Sequence, residues 1–99
     1  MDAATVTLIA VTLDPEGRRI RLTEGAWRHI KSEHPDMTRY LRDIMAAVRE
    51  PDRRVVGPTA GEEWFYRSEA GPSAWIRVVV HYEHERGLIV TAFPRRSFP

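Results

Sequence analysis

M-T-R-Y-L-R-D-I-M-A-A-V-R-E-P-D-R-R-V-V, residues Met37–Val56, changes its hydrophobic period part of the way along. Up to Glu50 the apolar residues Leu41, Ile44, Met45 and Val48 recur at helical spacing, which predicts a helix over Met37–Glu50 with one core-facing stripe. Pro51 lacks a backbone donor and stops it. Beyond it, R-V-V (Arg54–Val56) opens a period-two pattern that holds almost to the end of the chain. Helical spacing before Pro51 and alternation after it predict an α+β protein, with two helices packed on one face of an antiparallel sheet.

On the N-terminal side, Thr5–Asp14 alternates as a strand, D-P-E-G (Asp14–Gly17) is a turn, and R-R-I-R-L (Arg18–Leu22) returns as a second strand. Thr23 is a good N-cap, with Glu24 in the first turn, so a first helix is expected from Glu24 to His34, ending before Pro35. Its Ala26, Trp27, Ile30 and His34 share one side at 100° per residue, while His29 lies off that stripe. His34 therefore faces the sheet as a site residue, a cap or a core histidine. His29 meets a cleft or plain solvent.

On the C-terminal side, Glu63–Arg67, Ala74–Tyr82 and Leu88–Pro94 read as strands of consecutive hairpins. Alternation puts Ile76, Val78 and Val80, with Leu88, Val90 and Ala92, against the helices. It puts Phe65, Arg67, Trp75, Arg77, His81, Thr91 and Phe93 on the other face. Arginine interleaved with flat rings suits RNA, whose phosphates need cations and whose unstacked bases need surfaces to lie on. A half-exposed antiparallel sheet with a mixed outer face reads the same way. The tail R-R-S-F-P is expected to fray.

Ninety-nine residues make a single domain, 1–99, with one modest core. V-T-L-I-A-V-T-L is too short to cross a membrane, and the acidic start lacks the basic region of a secretory signal. The absence of cysteine suits a cytoplasmic chain. The net charge of +1 provides no general footprint for nucleic acid, yet all but one of the basic residues are arginine. A GC-rich coding sequence explains that bias, and so does a need for forked hydrogen bonds to phosphate. No cofactor or metal is expected. There is no phosphate-binding glycine loop and no His-Glu-x-x-His, and His29 and His34 are spaced i, i+5 rather than i, i+4.

The order D-P-E-G-R-R-I-R-L-T, W-R-H-I-K-S-E-H-P-D, P-D-R-R-V, E-W-F-Y-R, W-I-R-V-V-V and V-T-A-F-P resembles the barnase–EndoU–colicin–RelE-like nucleases, especially their phage-associated branch. The resemblance spans about Asp14 to Pro94. It implies an N-terminal hairpin, two helices and then a curled antiparallel sheet. It also implies a metal-independent endoribonuclease, toxin or effector, with RNA as substrate and a cognate inhibitor or antitoxin as partner. The family's H-I-x-x-x-H-P matches His29 and His34, its strand arginine after an aromatic matches Arg67 after Tyr66, and its last-strand threonine matches Thr91. His29 is then the expected proton-transfer residue and His34 an orienting or capping one, with Arg67 and Thr91 on the phosphate. Tyr66, Trp75, Arg77 and His81 are the expected substrate contacts. A non-catalytic RNA- or protein-binding module on the same scaffold is the alternative.

Overall fold

The computed structural model describes residues 6–99, so Thr5 of the expected first strand lies outside them. The hairpin is β1 (Leu8–Leu13) and β2 (Arg19–Thr23). Asp14 closes its turn: the backbone N–H groups of Glu16 and Arg18 donate to Oδ1 at 3.0 and 2.8 Å. Gly17 takes φ +86°, a conformation that costs other residues but not glycine. Helix α1 (Glu24–Glu33) starts on the Thr23 cap, whose Oγ1 accepts from Ala26 N at 3.1 Å. Pro35 does not simply end the helix. It opens a 3-10 turn, Pro35–Met37, that drops Met37 into the core. Helix α2 (Leu41–Arg49) therefore starts four residues later than the hydrophobic pattern suggests. Then come β3 (Arg53–Val56), β4 (Glu62–Ser68), β5 (Trp75–Glu83) and β6 (Arg86–Arg95).

The six strands form one sheet in the order β1-β2-β6-β5-β4-β3. The sheet is mixed and not, as the hairpins predicted, wholly antiparallel, because β2 pairs parallel with β6 through Arg19, Ile20 and Arg21 opposite Arg86, Gly87 and Leu88. By joining the free edge of β6 the N-terminal hairpin brings Ile20 and Leu22, both buried, into the same core as the other strands. β6 is thus the last strand in the chain and a middle strand in the sheet. A Cβ on Gly87 would lie 2.9 Å from both Ile20 Cδ1 and Val80 Cγ1, so only glycine lets β6 fit this closely.

One face carries both helices. Ile30 of α1, Met37, and Ile44, Ala47 and Val48 of α2 meet Ile20, Leu22, Phe65, Ile76, Val78, Val80, Ile89 and Ala92 in a single core. Two expected faces are corrected here. In β6, Val79 pairs with Thr91 but Val80 pairs with Ile89, leaving Val90 as an extra, bulged residue. The bulge turns Ile89 inward, while Leu88 and Val90, expected in the core, are exposed. In β4, Phe65 lies opposite Val78 and Arg67 opposite Ile76, so both face the helices, while Trp64 and Tyr66 face away. The C-terminal tail also departs from expectation. Phe98 packs edge-on against Tyr66, with ring centroids 4.7 Å apart, and lies 5.7 Å from Trp75. Among the described residues no helix is long and apolar enough to cross a membrane.

Candidate functional site on the helix-free face

Register decides which side chains share the helix-free face. Tyr66 lies opposite Arg77, and Arg77 lies opposite Phe93. Trp64, Val79 and Thr91 form the next row, and Trp75 and Arg95 flank the first on its other side. Arg77 occupies the centre. Its Nε donates to the Tyr66 hydroxyl at 2.7 Å. Its guanidinium lies 4.1 Å from the Trp64 ring centroid, 5.1 Å from Tyr66 and 5.2 Å from Phe93. Rings attract a cation through their negative faces and strip part of its water, but they accept no forked hydrogen bonds. Arg77 is half-buried, and among the described residues no carboxylate pairs with it. A cation held in that way is a ready seat for an oxyanion.

His34 joins this cluster. β2 covers β6 only as far as Leu88, and α1 with the turn after it packs along β6 beyond that point. The half-buried His34 ring stacks on Phe93 at 5.4 Å, with 27° between planes. Its backbone N–H also donates to Ile30 O at 2.8 Å, closing α1. The other expected residues are distributed as follows. Tyr66, Trp75, Arg77 and Thr91 lie on this face. His81, exposed, lies on it too, farther along β5 and opposite Leu88. His29 is exposed on α1. Arg67 is on the helix side, where Nη1 donates to the Glu50 carbonyl at the end of α2. That bond satisfies a helix C-terminus, and it separates Arg67 from Thr91 by the thickness of the sheet. Beside Arg67 is a hollow of about 390 Å³. Two of its acids already accept hydrogen bonds: Asp43 from Gly71 N, and Asp52 from the backbone N–H and the hydroxyl of Ser68. The Ser68 bonds hold the Asp52 carboxyl below its usual range.

Sequence reasoning missed a second polar cluster, on the helix side at the far end of β5. The Tyr82 hydroxyl donates to Asp14 Oδ2 at 2.7 Å, and Arg18 Nε donates to the same oxygen at 2.8 Å. Arg54 spans Glu63 (Nε, 2.7 Å), Glu16 (Nη1, 2.6 Å) and the Tyr82 hydroxyl (Nη2, 3.3 Å). Burial pushes the Asp14 carboxyl up, and the bonds from Tyr82 and Arg18 outweigh it, leaving the carboxyl below its usual range. Burial and the bond to Asp14 push the Tyr82 phenol well above its own. Three carboxylates, Asp14, Glu16 and Glu63, share two guanidiniums, Arg18 and Arg54, in a clamp between the first turn, β3, β4 and β5. Its one visible signal is D-P-E-G-R, two acids and an arginine in a turn; their partners come from distant strands.

Among the described residues no group of three or more His, Cys, Asp or Glu is placed to hold a metal ion. Compared with known proteins, the chain matches no family model, no curated protein and no solved structure.

Proposed function

We propose that the helix-free face binds single-stranded RNA and that the domain is a metal-independent, cytoplasmic endoribonuclease of the barnase–EndoU–colicin–RelE-like kind. The observation that carries this reading is Arg77, ringed by Trp64, Tyr66 and Phe93 and without a carboxylate partner. A backbone phosphate fits its open edge, and the rings offer bases a surface to stack on. His34 on Phe93 then takes the place first expected of His29. Its imidazole accepts the proton of the substrate 2′-hydroxyl, and the 2′-oxygen attacks phosphorus. The bond to the 5′-oxygen breaks, that oxygen takes a proton from solvent, and a 2′,3′-cyclic phosphate remains. Arg77 stabilises the charge that builds on the phosphate, and Thr91, on the same face, offers a hydroxyl donor. Such a chain would act as a toxin or effector and call for an inhibitor or antitoxin that covers this face.

The test is incubation of the protein with single-stranded RNA in EDTA, beside His34→Ala and Arg77→Ala. Cleavage should fall by about 10²-fold or more in His34→Ala, the size of a lost general base, with binding kept. Arg77→Ala should lose both. Binding without cleavage by the parent would replace the enzyme with a non-catalytic RNA-binding module. Absence of both would remove RNA altogether.

A further inference from the structure

Two buried side-chain polar atoms among the described residues have no hydrogen-bond partner, Arg21 Nε and Arg95 Nε. Both belong to the helix-free face, since Arg21 lies opposite Leu88 and Arg95 opposite Trp75. A buried donor left without an acceptor is costly, and its usual explanation is a ligand, ion or water that supplies one. Arg95 sits beside the Arg77 cluster. Arg21 sits at the other end of the face, in a cavity of about 120 Å³ lined by Arg21, His81, Glu83, Arg86, Gly87 and Leu88. Register places Val11 and Leu88 on either side of Arg21, so apolar neighbours flank its guanidinium. Glu83 pairs with Arg86 in the ladder, but no ion pair reaches Arg21 or Arg86 among the described residues. Two arginines and a histidine against one glutamate leave the cavity positive.

We infer that the cavity of Arg21, His81 and Arg86 is a second phosphate seat, which takes another phosphate of the same RNA strand that Arg77 holds. This rests on the RNA reading of the face. Arg77 and His81 are four residues apart on one side of β5, roughly 13 Å at about 3.3 Å per residue. A fully stacked strand advances about 3.4 Å per nucleotide and covers that span in about four; an unstacked one needs fewer. The strand runs along β5, crossing Val79 and Thr91 between the two seats. A minimum length for tight binding follows, because a dinucleotide reaches one seat and a longer strand reaches both.

The experiment measures affinity over a salt series for a dinucleotide and for a strand of about ten nucleotides, with parent, Arg21→Ala, Arg21→Lys and Arg77→Ala, each checked by thermal melt. Arg21→Ala should weaken the longer strand several-fold and make its log K against log salt slope shallower by about 0.7, the value of one phosphate contact on a single strand. It should leave the dinucleotide unchanged. Arg21→Lys keeps the charge without the fork and should fall between. Arg77→Ala should weaken both lengths. Equal binding of the longer strand by Arg21→Ala and parent, with Arg77→Ala impaired, overturns the second seat and leaves the RNA reading standing. A parent that binds neither strand overturns both. If inorganic phosphate then still shifts the Arg21 Nε–H resonance in NMR, the cavity takes the free anion and is no part of an RNA track.

Discussion

On the helix side of the sheet, Arg54 lies 4.6 Å from the Phe65 ring. On the other side, Arg77 lies 4.1 Å from the Trp64 ring. Arg54 has one ring against it and Arg77 three, and both residues are half-buried. Their polar partners differ. Arg54 bonds Glu63, Glu16 and the Tyr82 hydroxyl. Arg77 bonds one hydroxyl through one nitrogen. Desolvating a cation is costly in both places. On the helix side the protein offsets that cost itself, and the cluster serves stability. On the free face only the Tyr66 hydroxyl and the rings offset it, and that difference is what the binding proposal rests on.

Arg54→Ala should show the largest effect. It strips Glu63, Glu16 and the half-buried Tyr82 phenol of their shared donor, and the expected loss is about 2–3 kcal/mol. At about 4–8 °C per kcal/mol for a domain of this size, the melting temperature should drop by roughly 10–20 °C. Arg77→Ala should cost about 1 kcal/mol, chiefly the Tyr66 bond and ring contact. Equal drops in the two melts would break the contrast between the faces.

Acid should weaken the clamp. The Asp14 carboxyl is held below its ordinary 3.8 in the fold. A depressed carboxylate contributes stability above its unfolded value and loses it as pH falls through the folded one. Unfolding free energy should therefore decline as pH falls below 3.8, the ordinary value of the carboxyl. Asp14→Asn should be less stable at neutral pH and flatter in that acid range, as denaturant titrations at several pH values would reveal.

The histidines give a smaller effect. His34→Ala should cost about 0.5–1.5 kcal/mol for its contact with Phe93, while exposed His29→Ala should stay within about 0.5. Denaturant midpoints separate them. Smallest of all is Arg21→Ala. No protein group loses a partner, so stability should change by about 0.5 kcal/mol or less. A large drop there would mean Arg21 is structural after all.

The helices, the first turn and the switch at Pro51 were legible because they depend on neighbours in sequence. Thr23 caps α1 with its own hydroxyl, and Ile44 and Val48 form a stripe through helical geometry alone. The β4 faces were not legible. E-W-F-Y-R lacks polar alternation, and both Phe65 and Tyr66 are fully buried, the first under the helices and the second against Phe98. Nothing local in L-I-V-T-A-F marks Val90 as a bulge, and one extra residue reverses every face before it. The histidine pair was visible in sequence, but not that the reach of α1 past the end of β2 carries His34 to Phe93. The arginine clamp escaped for a similar reason: Asp14 and Tyr82 lie on opposite halves of the chain.

The central place of β6 has a consequence in time. A ribosome delivers the β1–β2 hairpin first and β6 last, yet β2 has no strand neighbour other than β1 until β6 inserts beside it. While synthesis continues, Ile20 and Leu22 have no finished core to enter. The two halves of the sheet become one only when the last strand emerges. Closing so long a loop before its contacts can form is slow relative to local hairpin formation. A nascent or truncated chain that stops short of Arg86 therefore lacks the strand that joins β1–β2 to β3–β5 in one sheet, and leaves apolar surface open to chaperones and proteases. Any activity of the outer face therefore waits until β6 has taken its place between β2 and β5.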